Sequence, residues 1–235
     1  MPAIIVSTCS LYGWYESSAD YEKHLDERIH AILDAGADGV EISNGPSILT
    51  WRPRRDTVRR LRAKTVTVHA EILWGITLDE WAAAIERLPF EIVNTVFHPD
   101  ELTPDQLPLL ANLPFPASIE NMDTTRDDWR NVREMQRILY PGVGFTLDVA
   151  HAEENDLPTS HFAPLFIPAE THLSLASAPD PDYYDFDCAH ALTHLDPDDF
   201  PHVPSGCPIV TLEGVMPSVD ALETEVGFVK SKLAY

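Results

Sequence analysis

Short runs of β-branched and aliphatic residues alternate along the chain with longer segments of helical periodicity. The runs are AIIVSTC (3–9), GVEIS (39–43), TVTVHAE (65–71), EIVNTVFH (91–98), ASIENM (117–122), VGFTLDVA (143–150), THLSLAS (171–177) and PIVTLEG (208–214). Each has the length and composition of a strand. Between them lie helical patterns: YEKHLDERIHAILDAG, stopping at Gly36, then RRDTVRRLRAK, TLDEWAAAIERL and TPDQLPLLANL. Thr77 and Glu80 have capping-box spacing, and Thr103-Pro104 reads as a cap followed by a first-turn proline. TRDDWRNVREMQRILY (125–140) predicts the strongest helix, SHFAPLF a short weak one, and SVDALETEVGFVKSKL a closing helix. Residues 178–207, rich in Asp, Pro and Tyr, predict a long loop. This alternation argues for a (β/α)8 barrel rather than a doubly wound sheet. The 235 residues, without a linker, suit one barrel domain spanning 1–235.

Side chains alternate across a strand, so residues i and i+2 share a face. Thr67 and His69 share one face in the third run, while Val66 and Val68 take the other. Thr146 pairs with Asp148, His172 with Ser174, and Thr211 with Glu213 in the same way. The polar faces are therefore expected to point into the barrel axis. Seven metal-competent side chains end these runs: His69, His98, Glu120, Asp148 with His151, His172 and Glu213. A parallel barrel collects its strand ends at one mouth, so the pattern predicts a metal site there.

Composition narrows the partners. Sixteen Lys and Arg face 38 Asp and Glu, for a net charge of -22. Such a field repels phosphate backbones and disfavours nucleic acid as a partner. The run from Arg52 to Arg62 is the basic exception and reads as a solvated helix face. Cys9, Cys188 and Cys207 are odd in number and widely spaced, which fits neither a disulfide framework nor a zinc ribbon. No signal-like or membrane-spanning run is present. A cytoplasmic protein is expected, with a small-molecule partner and no membrane.

Glu120, Asp148, His172 and Glu213 come from four consecutive strands. Three carboxylates and an imidazole suit a divalent Mn, Mg, Co or Zn ion. Without a cation, three buried carboxylates would repel one another. Glu41, ending the second run, is either a site residue or part of a structural ion pair. Trp14, Trp51 and Trp74 follow the first three strands, where they either stack on a ligand or pack in the core. Arg54, on the loop side of the second strand, is a candidate for a substrate phosphate. His98, before Pro99, is either a second-metal ligand or a hydrogen-bonding partner of the first site. A strand-end lysine for Schiff-base chemistry is missing, as are a Gly-x-Ser-x-Gly elbow and a nucleotide-binding glycine loop.

The motifs VHAE (68–71), FHPD (97–100), IENM (119–122), LDVAH (147–151), THLS (171–174) and LEG (212–214), in this order and spacing, resemble the xylose-isomerase-like barrel superfamily. That superfamily includes sugar isomerases, ketose 3-epimerases and endonuclease-IV-type apurinic endonucleases. In the isomerase branch, the resemblance implies that Glu120, Asp148, His172 and Glu213 hold one metal. Glu120 and Glu213 would exchange a proton through an enediolate of a sugar or sugar phosphate. His151 would assist at the substrate, and His69 would line the cavity. In the endonuclease branch, His69, His98 and His151 would complete a zinc cluster for phosphodiester hydrolysis. That branch also needs an Asp-x-His pair after strand seven. Here Asp187 and His190 are separated by two residues in place of one, and the glycines expected after them are missing. A barrel that binds a ligand without turnover is the third reading.

Overall fold

The structure is a computed structural model describing residues 1–14, 23–43, 45–70, 72, 76–165, 167–176 and 191–234, apart from the side chains of 12–14, 46, 194 and 197. Trp74, Cys188, Asp187 and His190 lie outside the described residues, as does the side chain of Trp14. So does much of the loop expected over 178–207.

Eight parallel strands close into a barrel in chain order, with β8 returning to β1. They are β1 (Ala3–Ser7), β2 (Gly39–Ile42), β3 (Thr65–His69), β4 (Asn94–Phe97), β5 (Ala117–Glu120), β6 (Gly144–Asp148), β7 (Glu170–Leu173) and β8 (Ile209–Leu212). Each is shorter than the run that predicts it, having lost residues at one or both ends. The expected (β/α)8 barrel is thus the observed architecture.

The described α-helices are α1 (Leu25–Asp34), α2 (Arg55–Leu61), α3 (Leu78–Glu86), α4 (Val132–Met135), α5 (Val149–Glu154) and α6 (Val219–Leu233). Leu25, Ile29, Ile32 and Leu33 of α1 are buried at helical spacing, and Gly36 adopts φ 89° just beyond its end. The capping box at Thr77 and Glu80 is formed in both directions. None of the described helices is long and apolar enough to cross a membrane.

Two helices expected from the pattern are much reduced. Residues 103–113 hold only a 3-10 segment, Leu107–Asn112, in which Pro108 removes a backbone donor. Residues 125–140 contribute only α4. Trp129 sits at φ 67°, and its carbonyl accepts from Met122 N–H. The Asp123 carboxylate accepts from Thr125 N, and Asn131 Oδ1 accepts from Arg133 and Glu134 N. These short polar side chains outcompete the helix for its own backbone.

The barrel interior is polar, whereas bulky aliphatic layers are usual in this architecture. Thr67 of β3 donates to Glu170 of β7 at 3.0 Å, and Asn94 of β4 donates to the other Glu170 oxygen at 2.8 Å. These strands are not neighbours, so the bonds cross the barrel axis. Thr211 also donates to Glu170, while Asn94 reaches Ser118 and Ser118 bonds Thr146. The apolar residues of the same strands, such as Val66, Val68, Phe145, Leu147 and Leu173, join the core under the outer elements.

Close packing of β2 on β3 needs a missing side chain. A Cβ at Gly39 would stand 1.7 Å from the Thr65 carbonyl oxygen. Gly39→Ala is therefore expected to destabilise the barrel by about 3 kcal/mol or more. Chemical denaturation would measure this, and an unchanged midpoint would contradict the packing argument.

Candidate functional site

The site is one step above that polar floor. Apart from Asn94, which is followed by Val96, each floor residue has an acid or imidazole two positions later on the same strand face: Thr67 with His69, Ser118 with Glu120, Thr146 with Asp148, Glu170 with His172, and Thr211 with Glu213. The i, i+2 rule thus converts a buried hydroxyl and carboxylate layer into a layer of acids and imidazoles at the mouth.

His172 is the pivot. Its ring is fully buried, with Nδ1 at 3.0 Å from Glu120 Oε1 and 3.2 Å from Glu213 Oε2. On the opposite edge, Nε2 lies 3.3 Å from Glu41 Oε2 and 3.7 Å from Glu170 Oε1. Four carboxylates therefore surround one imidazole. Glu120 is itself shared: its Oε2 is 3.1 Å from His69 Nε2 and 3.1 Å from His98 Nε2.

Asp148 caps α5 by accepting from His151 N at 2.6 Å, and its backbone is locked by a two-way bond to the Asn121 amide. The His151 ring sets Nδ1 at 2.8 Å from the Asn121 carbonyl. A carbonyl only accepts, so Nδ1 carries a proton and Nε2 faces the cavity, 3.9 Å from Asp123.

All seven side chains flagged at strand ends converge here, and Glu41 joins them from β2. Four overlapping groups have ligand atoms within 4.8 Å of one another, any of which could hold a metal ion. They are Glu120–Asp148–His172–Glu213, His69–His98–Glu120, His69–His172–Glu213 and Glu41–Glu170–His172. Two ionised carboxylates about 5 Å apart repel by roughly 3 kcal/mol at an effective dielectric near 20. A cation among them removes that cost, so the donor set fits a divalent ion.

Arg54 is not brought to the site. It begins α2 on the outer shell, where its Nη1 donates to Glu27 at 2.8 Å and its backbone N–H to Asp26. Trp51 also packs outside, against Phe90, with Nε1 donating to Asp26. Sequence reasoning missed Glu170, Asn121 and Asp123. Glu170 was within reach of the i, i+2 rule, but the seventh strand was expected to start one residue later.

Electrostatics follow from the crowding. Burial alone would lower His69, yet its bond to Glu120 and the charges of Glu41, Glu120 and Glu213 lift it to about 10. His151 is likewise depressed by burial but raised to about 9 by Asp148 and Glu120. Burial, reinforced by Glu120 and Glu213, lifts Asp148 to about 7. Burial works against the Glu120 anion, but the charge of His172 and bonds from His172, His69 and His98 hold it well below the usual range.

Solved structures show the same fold at low identity. A probable 3-DHS dehydratase, AsbF, involved in petrobactin synthesis in Bacillus anthracis, aligns with TM-score 0.59 and 13% identity, over 98% of this chain and 99% of that one. An AP endonuclease of family 2 from Brucella melitensis aligns with TM-score 0.55 and 11% identity, over 98% and 99%. A dihydropteroate synthase from Xanthomonas albilineans aligns with TM-score 0.55 and 14% identity, over 100% and 94%. No family model matches the chain, and no curated protein does either.

These shifts give the metal-free protein a defined pH response. His69 and His151 bind protons more tightly folded than unfolded, so their stabilisation is complete below about 6.5 and is lost as pH rises through about 9 to 10. Asp148 acts in the same direction at lower pH, its contribution being lost between about 3.8 and 7. The melting temperature in EDTA should fall from pH 6.5 to 10 and recover when a divalent ion is added. A flat profile would contradict the buried charge pairs.

Proposed function

We propose that this barrel is a metal-dependent isomerase or epimerase of a sugar or sugar phosphate. The observation that carries the reading is the pair Glu120 and Glu213. They come from β5 and the end of β8, three strands apart around the ring, yet approach the same His172 nitrogen at 3.0 and 3.2 Å. Two carboxylates reaching one point from different sides of a cavity are placed to take a proton from a carbon and return one.

Asp148 and His172 complete the ligand set. A divalent Mn, Mg, Co or Zn ion held there would polarise a carbonyl and acidify the neighbouring C–H. His151 directs Nε2 into the cavity, where it can bond a substrate hydroxyl. His69 and Glu41 hold Glu120 and His172 in position. The fold neighbours bear the names of a dehydratase, an endonuclease and a synthase, so the choice of reaction rests on these residues and not on the fold.

One observation favours a second reading. His69, His98 and Glu120 form a group of their own, which suits an additional zinc ion and hydrolysis of a phosphoester. The net charge of -22 and the departure at Asp187 and His190 weigh against a nucleic-acid substrate.

Metal content and isotope exchange separate the readings. About one ion per chain, with deuterium incorporation next to the carbonyl of a sugar in heavy water, is expected. Two or three zinc ions with phosphodiester cleavage would move the assignment to hydrolysis. Metal loading without either activity would favour a binding barrel. Glu213→Gln should lower exchange at least a hundredfold while the circular dichroism spectrum is unchanged; retained exchange would sink the two-carboxylate mechanism.

A further inference from the structure

A cavity of about 430 Å³ opens beside the four-residue metal group, walled by Asp123, Asp148, Glu154 and Glu213 with His151 and Ser174. That volume is in the range of small-molecule sites. An ionised carboxylate only accepts hydrogen bonds. The cavity therefore suits an occupant that brings donors, and hydroxyl groups are the obvious ones. Asp148 and Ser174 are nearly fully buried, so the polar wall extends to the floor and is not a solvated rim.

The cations of the chain can be placed completely. The segments outside the described residues contain no Lys or Arg, so all 16 lie among the described ones. The same segments carry Glu16, Asp20, Glu22, Glu71, Asp180, Asp182, Asp185 and Asp187. None of the 16 cations lines the cavity. Arg54 and Arg60 pair with Glu27 and Asp34 on the outer shell, and Lys230 pairs with Asp38. Arg28 is buried and donates to the Thr8 carbonyl. Arg126, in the loop after β5, stands behind the cavity wall, with Nη1 donating to Thr125 and Nε at 2.6 Å from Asp100, which neutralises it. A phosphate entering here would meet four carboxylates, each repelling it by about 3 kcal/mol per unit charge at 5 Å, and the His151 imidazole with a divalent ion at Asp148 and Glu213 would offset only part of that charge.

We infer that the substrate carries no anionic group: it is a free polyhydroxy carbonyl compound whose hydroxyls extend from the metal group into this cavity, and not a sugar phosphate. The carbonyl part of this statement rests on the isomerase reading. The charge selectivity rests on the cavity walls and the position of every cation.

The test is binding to the Mn²⁺-loaded full chain by titration calorimetry, using ribitol, xylitol and their terminal phosphates. Each free polyol is expected to bind at least tenfold more tightly than its phosphate. Equal or tighter binding of the phosphates, or no binding of either polyol, overturns the inference. Glu154→Lys, which reverses one wall charge at the exposed end of α5, should narrow the ratio about tenfold. An unchanged ratio would remove this cavity as the source of selectivity. Deuterium exchange into free sugars tests the isomerase reading separately. Polyol discrimination without exchange would sink that reading and leave the charge selectivity standing.

Discussion

Four carboxylates buried inside one barrel are the constraint to which the other features answer. Glu41, Glu120, Asp148 and Glu170 are each no more than 2% exposed, and an isolated buried charge is too costly to persist. Each is compensated differently. Glu170 is met from the floor by Thr67, Asn94 and Thr211. Glu120 is met by His69, His98 and His172. Asp148 takes a backbone N–H from the helix it caps. Among the described residues Glu41 makes no hydrogen bond of good geometry, and the His172 ring stands at ion-pair distance from it. The imidazole of His172 thus connects the floor to the mouth, and removing it would leave charges on both sides unpaired.

This explains why the interior is polar at two levels. A carboxylate layer able to bind an ion needs partners beneath it that do not compete for the ion. Hydroxyls and an amide on the same strand faces provide them. The usual aliphatic filling would leave Glu170 unsatisfied and the orientation of His172 unfixed. The nitrogen that faces Glu120 and Glu213 is held in place by carboxylates behind the ring, an arrangement common among metal-ligating histidines.

The strands and the convergence of their polar side chains were legible in the sequence because both follow a period of two. Thr67 with His69, and Thr211 with Glu213, declare their shared face without any structure. The outer layer was less legible. Residues 125–140 have helical periodicity, but Asp123 and Asn131 bond the nearby backbone and Trp129 turns left-handed. Periodicity records which residues would share a face if a helix formed, and it does not register that competition. Arg54 was misplaced for a related reason. Proximity to a strand end in sequence gives no direction, and Asp26 and Glu27 of α1 draw its side chain outward.

The choice between one ion and several comes down to His98. It stands directly after β4 and shares Glu120 Oε2 with His69, the two rings meeting edge to face at 4.7 Å. With one ion at the four-residue group, these imidazoles serve Glu120, compensating a carboxylate that must both ligate and move a proton. A second ion would be held by His69, His98 and Glu120, and a Glu120 engaged in holding both ions would be unfit as a proton carrier. The two chemistries thus make opposite demands on one carboxylate. The acidic cavity beside it, with no lysine or arginine on its walls, favours the version in which Glu120 keeps its imidazole partners and the substrate brings hydroxyls in place of phosphate.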